Sequence, residues 1–128
     1  MNLCNAANMR LIVRRLGDMR AKAEVDAGIC GFKADISAVC EDGQFVMLSI
    51  SSDCEKMAAL GRTLAGKGPI DAYQEISPAA ESVILSTARS AVKGCCSACA
   101  TPVAAFKTMQ VAAGLALPGD VHIRISKE

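Results

Sequence analysis

The sequence predicts an α+β fold in two layers, with about three helices packed on one face of an antiparallel sheet of three to four strands. The first half of the chain alternates apolar and polar residues around a turn signal, whereas the second half carries helix-start signals and apolar stretches. A meander of strands followed by grouped helices is typical of this class. The chain has 128 residues, and we expect one domain over residues 19–128.

The strands are predicted from period-two alternation. Residues 32–40 alternate in this way, an Asp-Gly pair supplies a hairpin turn, and residues 45–51 form the return strand. An earlier strand over 22–26 would precede the Gly-Ile-Cys-Gly bend. Alternation returns in residues 121–126, which predict a last strand after the helices.

The helices are predicted from their start signals. Ser52 and Glu55 have capping-box spacing, with Ser52 as the N-cap, and this helix should end near Gly66. The pairs Ser77-Pro78 and Thr101-Pro102 each place an N-cap residue before a proline at the first helical position.

Residues 1–18 are expected to be an appendage to the domain, either disordered or helical. Its weak apolar stripe beside three arginines also fits a basic amphipathic contact with a membrane surface. No stretch of the chain approaches about 18 uninterrupted apolar residues, so we expect no membrane span.

Composition argues against nucleic-acid binding. Aromatic residues are only 3% of the chain and the formal net charge is +1, so base stacking and phosphate attraction both lack support. An alanine-rich helix face could serve either the core or a homodimer or protein partner; its residues are Ala104, Ala105, Ala112 and Ala113.

The polar residues outside the cysteines give no catalytic pattern, so we lean against an enzyme. Asp71, Tyr73 and Glu75 lie in a connector and are expected to be solvated. His122, the single histidine, should point to solvent from its strand. Neither of the common glycine-rich phosphate-binding motifs occurs.

The cysteines carry the functional prediction. Their number is seven, which excludes complete internal pairing, and clustered cysteines without a signal-peptide core suggest a reducing, cytoplasmic setting. Three stretches place a cysteine where the backbone turns: Cys30 between glycines, Cys54 at a helix start, and Cys95, Cys96 and Cys99 before another helix start. Cys96 and Cys99 have the Cys-x-x-Cys spacing that can hold a metal ion or cluster iron.

These cysteines predict a site that binds zinc or an iron–sulfur unit. Helix N-termini favour a thiolate, and two helices side by side on the sheet could bring theirs to the same end. Cys30, Cys54 and Cys99 would be the ligands, with Cys96 or Cys95 completing a four-sulfur shell. The role would be binding, delivery or assembly.

Two alternatives stay open. In a thiol-based enzyme or sulfur carrier, Cys99 or Cys54 would attack a sulfur or an electrophile and Cys96 would resolve the product. In a structural or interaction protein the cysteines would only pack, because free cysteine behaves as a small apolar residue. Cys40, on the apolar face of its strand, is assigned to the core, and Cys4 is treated as incidental.

Four strings of this sequence resemble a family of small uncharacterised cysteine-containing proteins of anaerobic microbes. They are Asp-Ala-Gly-Ile-Cys-Gly-Phe over 26–32, Ser-Asp-Cys ending at Cys54, Cys99 before Pro102, and Ala-Ala-Gly-Leu-Ala-Leu-Pro over 112–118. The resemblance covers residues 21–127 and implies that Cys30, Cys54 and Cys99 are the shared cysteines. This chain departs from the pattern in having Glu55 where proline often follows, and in adding Cys95 and Cys96.

In layout the chain is also distantly similar to the TSCPD domain, in which one cysteine opens a helix after a strand and a second opens a later helix. That similarity implies an association with metal or with nucleotide reduction. The Thr-Ser-Cys-Pro-Asp string of that domain does not occur here.

Overall fold

The computed structural model describes residues 19–77, 81–92 and 99–128. Within them, four antiparallel strands form one sheet in the order β1-β2-β3-β4. The strands are β1 (Met19–Asp26), β2 (Lys33–Cys40), β3 (Phe45–Ser52) and β4 (Ile70–Asp71). The appendage predicted for residues 1–18 lies outside the described residues.

The described residues also form four helices: α1 (Glu55–Gly66), α2 (Ala72–Ile76), α3 (Val83–Ala91) and α4 (Thr101–Ala112). α4 packs across β1, β2 and β3, α1 packs along β3, and α3 packs against both α1 and α4. The predicted α+β class, with helices packed against an antiparallel sheet, is therefore confirmed. In the described ranges no helix combines the length and the apolar character that a bilayer crossing requires.

Alternation along β2 explains which face of the sheet is covered. Ala34, Ile36, Ala38 and Cys40 are buried under the helices, while Lys33, Asp35 and Ser37 between them are exposed. The helices supply the other half of the core, where Leu60, Ile84 and Met109 are fully buried. Each large aliphatic side chain buried in this way stabilises the fold by about 2 kcal/mol.

Gly61 permits the close approach of α1 to β3. A Cβ at this position would lie 2.9 Å from the carbonyl oxygen of Ile50 and 3.0 Å from its Cβ. Only glycine avoids this overlap, so the packing of α1 against the strand backbone depends on it.

The start of α1 differs from the prediction. Cys54, not Ser52, is the N-cap residue, and Glu55 pairs with Arg62 (2.6 Å between Oε1 and Nη2) and does not reach back to the cap. Ser52 still belongs to β3, where its Oγ accepts a hydrogen bond from Cys54 N (3.0 Å) and donates one to the Lys33 carbonyl (2.8 Å). The capping-box prediction is wrong because strand pairing continues through Ser52.

The later helix starts are also displaced. Ser77 ends α2, and α3 begins at Val83 with Ser82 as its N-cap; Pro78 lies outside the described residues. α4 starts with Thr101 itself, after an Ala100 N-cap. The sequence predicts a connector over 69–75 with room for one helical turn, and the structure has the short helix α2 there, preceded by the two-residue strand β4, which the patterns do not predict.

The last predicted strand, over 121–126, does not form. This segment is exposed, and it pairs with no strand in the described part of the chain. Alternation supplies only one requirement of a strand; the other is a neighbouring backbone to complete its hydrogen bonds.

Candidate functional site

One end of the sheet collects two of the predicted cysteines. Asp26 pairs with Lys33 and Ala34 pairs with Ser52, so the β1–β2 turn and the exit from β3 lie at the same end. Cys30 lies in that turn and Cys54 follows that exit. This end of the sheet, with the segments 27–32, 53–54 and 99–100, is called the cysteine end below.

Cys99 lies at the same end of the sheet because of the direction in which α4 runs. A Cβ on Gly114, just after α4, would lie 3.9 Å from Met19 Cε, so α4 ends beside the start of β1. Met19 pairs with Cys40 at the opposite end of the sheet. Because α4 packs across β1 and β2, its beginning points toward the cysteine end, and Cys99 lies directly before it.

Cys30 is exposed at the tip of a tight turn. Ala27 N donates to the Phe32 carbonyl (3.2 Å), and Gly31 N donates to the Gly28 carbonyl (2.9 Å). Gly28 and Gly31 have φ angles of 95° and 76°, in the left-handed region where a side chain would be strained. The two glycines therefore hold the turn that presents this thiol to solvent.

Cys54 and Cys99 are half-buried, and both pack against the hydrophobic core. Cys54 is the N-cap residue of α1, and its carbonyl accepts the first helical hydrogen bond, from Ala58 N (2.9 Å). Cys99 precedes Ala100, the N-cap residue of α4. Among the described residues, Ser52 Oγ accepts a hydrogen bond from the N–H of Cys54 itself, but no side chain accepts one from the first turn of α1 or of α4. These first-turn N–H groups thus have no side-chain acceptor in the described part of the chain.

The other two helices are capped by carboxylates. Asp71 accepts hydrogen bonds from Tyr73 N (3.0 Å) and Gln74 N (3.4 Å) at the start of α2, and one from Gln44 Nε2 (3.1 Å). The expectation that Asp71 is simply solvated is therefore wrong: its carboxylate is the N-cap of α2.

Glu75 is buried, with only 5% of its surface exposed, although the sequence predicts a solvated residue. Its carboxylate accepts hydrogen bonds from Ser82 Oγ (2.8 Å), Val83 N (2.6 Å) and Ile84 N (2.9 Å) at the start of α3. Because a gap of seven or more residues separates Glu75 from these donors, no local capping motif could have revealed it.

Cys40 belongs to the core, as predicted. It is fully buried at the end of the sheet opposite the cysteine end, and its Sγ accepts a hydrogen bond from Gly43 N (2.8 Å). It therefore offers an internal control for the other cysteines.

The cysteines share one end of the sheet without forming a ready ligand shell. Over residues 19–77, 81–92 and 99–128, no three His, Cys, Asp or Glu side chains are grouped to hold a metal ion. Cys95 and Cys96 lie outside these ranges. Two open grooves lie elsewhere on the described surface. One, of about 350 Å³, is lined by α1 and α3, and the other, of about 620 Å³, is lined by β2, β3 and α1. No cysteine lines either groove.

Comparison with known proteins gives one match. A family of unknown function, DUF6951, matches residues 21–125, which include the cysteine end and all four helices. No curated protein and no solved structure matches the chain. The match therefore assigns a family without assigning an activity.

Proposed function

Since the chain belongs to the DUF6951 family of unknown function, we propose from its own residues that the cysteine end binds a metal ion or an iron–sulfur unit. Cys30, Cys54 and Cys99 would supply three thiolates, and Cys96 or Cys95 the fourth. The protein would act in binding, delivery or assembly of the bound group, in a cytoplasmic setting where thiols stay reduced.

The observation that carries this proposal is the shared position of three cysteines that are far apart in sequence. Strand register places Cys30 and Cys54 at one end of the sheet, and the direction of α4 places Cys99 there. Packing alone does not require this arrangement, since the exposed Cys30 contributes nothing to the core.

The chemistry of the ligands selects the kind of metal. Thiolates are soft donors that favour zinc or iron over magnesium or calcium. The uncapped first turns of α1 and α4 add N–H groups that favour negative charge at this end. Such N–H groups also stabilise the sulfurs of iron–sulfur units by hydrogen bonding.

Assembly of the site would require movement. Because the described residues hold no ready group of three ligands, an incoming ion would draw the thiols together and order the segments that carry them. The turn around Cys30 is exposed, so it has little packing to give up. Binding would then stabilise the folded protein, and the free energy of unfolding would rise with the logarithm of the ligand concentration once that concentration exceeds Kd.

Metal content of anaerobically purified and reconstituted protein tests the proposal. We expect near-stoichiometric zinc, or iron with sulfide, in the wild type and in the control variant Cys40→Ala. Cys30→Ser, Cys54→Ser and Cys99→Ser should each lose it. A wild type that stays metal-free after reconstitution with either metal would overturn the proposal, as would single variants that retain full content.

A second candidate is thiol chemistry at Cys54. It is favoured by the position of this residue as the N-cap of a helix whose first turn has no side-chain acceptor. Exposure alone would make Cys30 the faster of the two thiols, because Cys30 is exposed and Cys54 is half-buried. Faster alkylation of Cys54 by iodoacetamide in metal-free protein would support this candidate. Faster alkylation of Cys30 would contradict this candidate. If the protein also contained no metal, the result would favour the interpretation that the cysteines only pack.

A further inference from the structure

An apolar groove lies on the outer face of the sheet, opposite the face that packs against the helices. Val39 and Met47 are cross-strand partners there, and Met47 is 44% exposed. The groove, of about 620 Å³ and called the outer groove below, is lined by these two residues and by Ala58, Gly61 and Ala65 of α1. The outer face of such a sheet is ordinarily polar, so an apolar groove on it indicates a surface that another segment covers.

The start of β1 brings the chain to the outer groove. Val39 pairs with Arg20 on one side and with Met47 on the other, so one row across the sheet runs from the start of β1 to the groove. This row spans about 10 Å, because neighbouring strands lie about 4.8 Å apart. The segment that precedes Met19 in the sequence is therefore tethered beside the groove.

That preceding segment has a sequence that fits the groove. Within residues 9–16, apolar side chains recur with the i, i+3, i+4, i+7 spacing of one helix face. They are Met9, Ile12, Val13 and Leu16. Eight residues of helix are about 12 Å long, enough to cross the row. Gly17 and Asp18, which separate this stretch from β1, are residue types that favour a turn.

We propose that residues 9–16 form an amphipathic helix, called the N-terminal helix below, whose apolar face docks in the outer groove of the same copy of the chain. The helix lies across the strands, with Leu16 over β1 and Met9 toward α1. It covers Val39 and Met47, and the sheet then lies between two layers of helix.

The charges of the outer face select this occupant. Glu24 and Asp35 are exposed and lie directly opposite each other, which is an unfavourable pairing of like charges across two strands. Arg10 and Arg14, four residues apart, share one flank of the N-terminal helix. A right-handed helix in the proposed orientation turns that flank toward the cysteine end, and thus toward the two carboxylates.

The distances allow this contact. Asp35 is four residues from Val39, or about 13 Å along β2. The radius of a helix, about 5 Å, and an extended arginine side chain together cover that span. The arginines therefore supply the positive charge that the Glu24–Asp35 pair lacks.

The tether selects the chain's own segment over that of a second copy. A connector of two residues gives the N-terminal helix an effective concentration at the groove of the millimolar order. A second copy would have to match this concentration to compete.

Trypsin, which cuts after arginine in accessible segments, tests the docking in the full chain. The initial rate of cleavage after Arg15 is followed by mass spectrometry and compared with a synthetic peptide of residues 1–18. Since cleavage tracks the undocked fraction, the protein should be cut at least about tenfold more slowly than the peptide. Met47→Asp places a charge in the groove and should bring the rate close to that of the peptide.

Val103→Asp is the matched control. Val103 is 50% exposed on α4, in the helix layer on the other face of the sheet, so its replacement should leave the cleavage rate unchanged. Met47 is exposed to a similar degree, so circular dichroism should show an unaltered fold in both variants.

A charge exchange tests the orientation of the helix. Asp35→Arg should raise the cleavage rate severalfold, because it sets a third positive charge against Arg10 and Arg14. Adding Arg14→Glu to that variant should lower the rate again, measured against a peptide that carries the same substitution. Glu81→Arg, at an exposed position before α3, is the control and should have no effect.

Four results would overturn the proposal. A wild type cleaved as fast as the peptide excludes docking, and Met47→Asp without effect shows that the segment is protected elsewhere. Protection that disappears on dilution assigns the groove to the segment of a second copy. Protection that appears only when vesicles of anionic phospholipid are added assigns the segment to a membrane surface.

Discussion

The four helices fall into two pairs that begin in opposite ways. α2 and α3 start with carboxylate or hydroxyl oxygens on their N–H groups, supplied by Asp71, Ser82 and the buried Glu75. α1 and α4 start at the cysteine end, where no side chain of the described residues accepts from their first turns, and each has a cysteine at or just before its N-cap position. The first-turn N–H groups therefore have side-chain acceptors in α2 and α3, whereas those of α1 and α4 have none among the described residues.

Under the proposed function, one pair of helix starts contributes to stability and the other to metal binding. A capped N-terminus stabilises a helix by about 1 kcal/mol, so leaving two of them uncapped has a real cost. That cost is explained if the open N–H groups face thiolates or their bound ion, which would provide the missing negative charge. Substitutions that remove a cap from one pair of helices, or add a cap to the other, test whether the two pairs differ in this way.

The largest effect is expected at Glu75. Glu75→Ala leaves the N-terminus of α3 without its buried acceptor, and the free energy of unfolding should fall by about 3 kcal/mol in urea denaturation. Glu81→Ala, at an exposed position before the same helix, is the matched control and should change it little. If Glu75→Ala lowered the free energy of unfolding by less than an ordinary surface substitution does, Glu75 would not hold the start of α3.

A smaller loss is expected at Asp71. Asp71→Ala removes the N-cap of α2 and its hydrogen bond from Gln44 Nε2, which should lower the free energy of unfolding by about 1 kcal/mol. Asp53 is an exposed aspartate directly before Cys54 that caps no helix among the described residues, so Asp53→Ala serves as the control. Equal losses in the two variants would contradict the distinction between the capped and uncapped pairs.

The smallest effect on stability is expected at Cys54. In metal-free protein, Cys54→Ser exchanges some apolar packing for a favoured N-cap hydroxyl, so the free energy of unfolding should stay within about 0.5 kcal/mol of the wild type. Cys40→Ser, which buries a hydroxyl in the core, should lose several times more. A large loss at Cys54 in chemical denaturation would instead make it a packing residue.

Much of the sheet could be predicted from sequence because burial on one face imposes strict alternation. β2 and β3 show this pattern through Ile36 and Leu48, and the Asp-Gly turn joins them. The positions of Cys30 and Cys54 at one end follow from that hairpin register. The direction of α4, which brings Cys99 to the same end, depends on tertiary packing that no local pattern encodes.

The errors share a physical cause, which is that long-range partners override local signals. Ser52 has capping-box spacing but remains paired with β2. Glu75 has the sequence environment of a solvated connector, yet its carboxylate is held by donors at the start of α3. The segment 121–126 has strand alternation but no strand beside it among the described residues.

The most direct test of the central claim is protection of individual cysteines by zinc. Alkylation of the reduced full chain would be followed residue by residue by mass spectrometry, with and without one equivalent of zinc. If the cysteine end is one metal site, the rates at Cys30, Cys54 and Cys99 should fall together while the slow rate at buried Cys40 stays unchanged. Zinc that leaves these rates unaltered, or that protects only one of the three, would contradict the account.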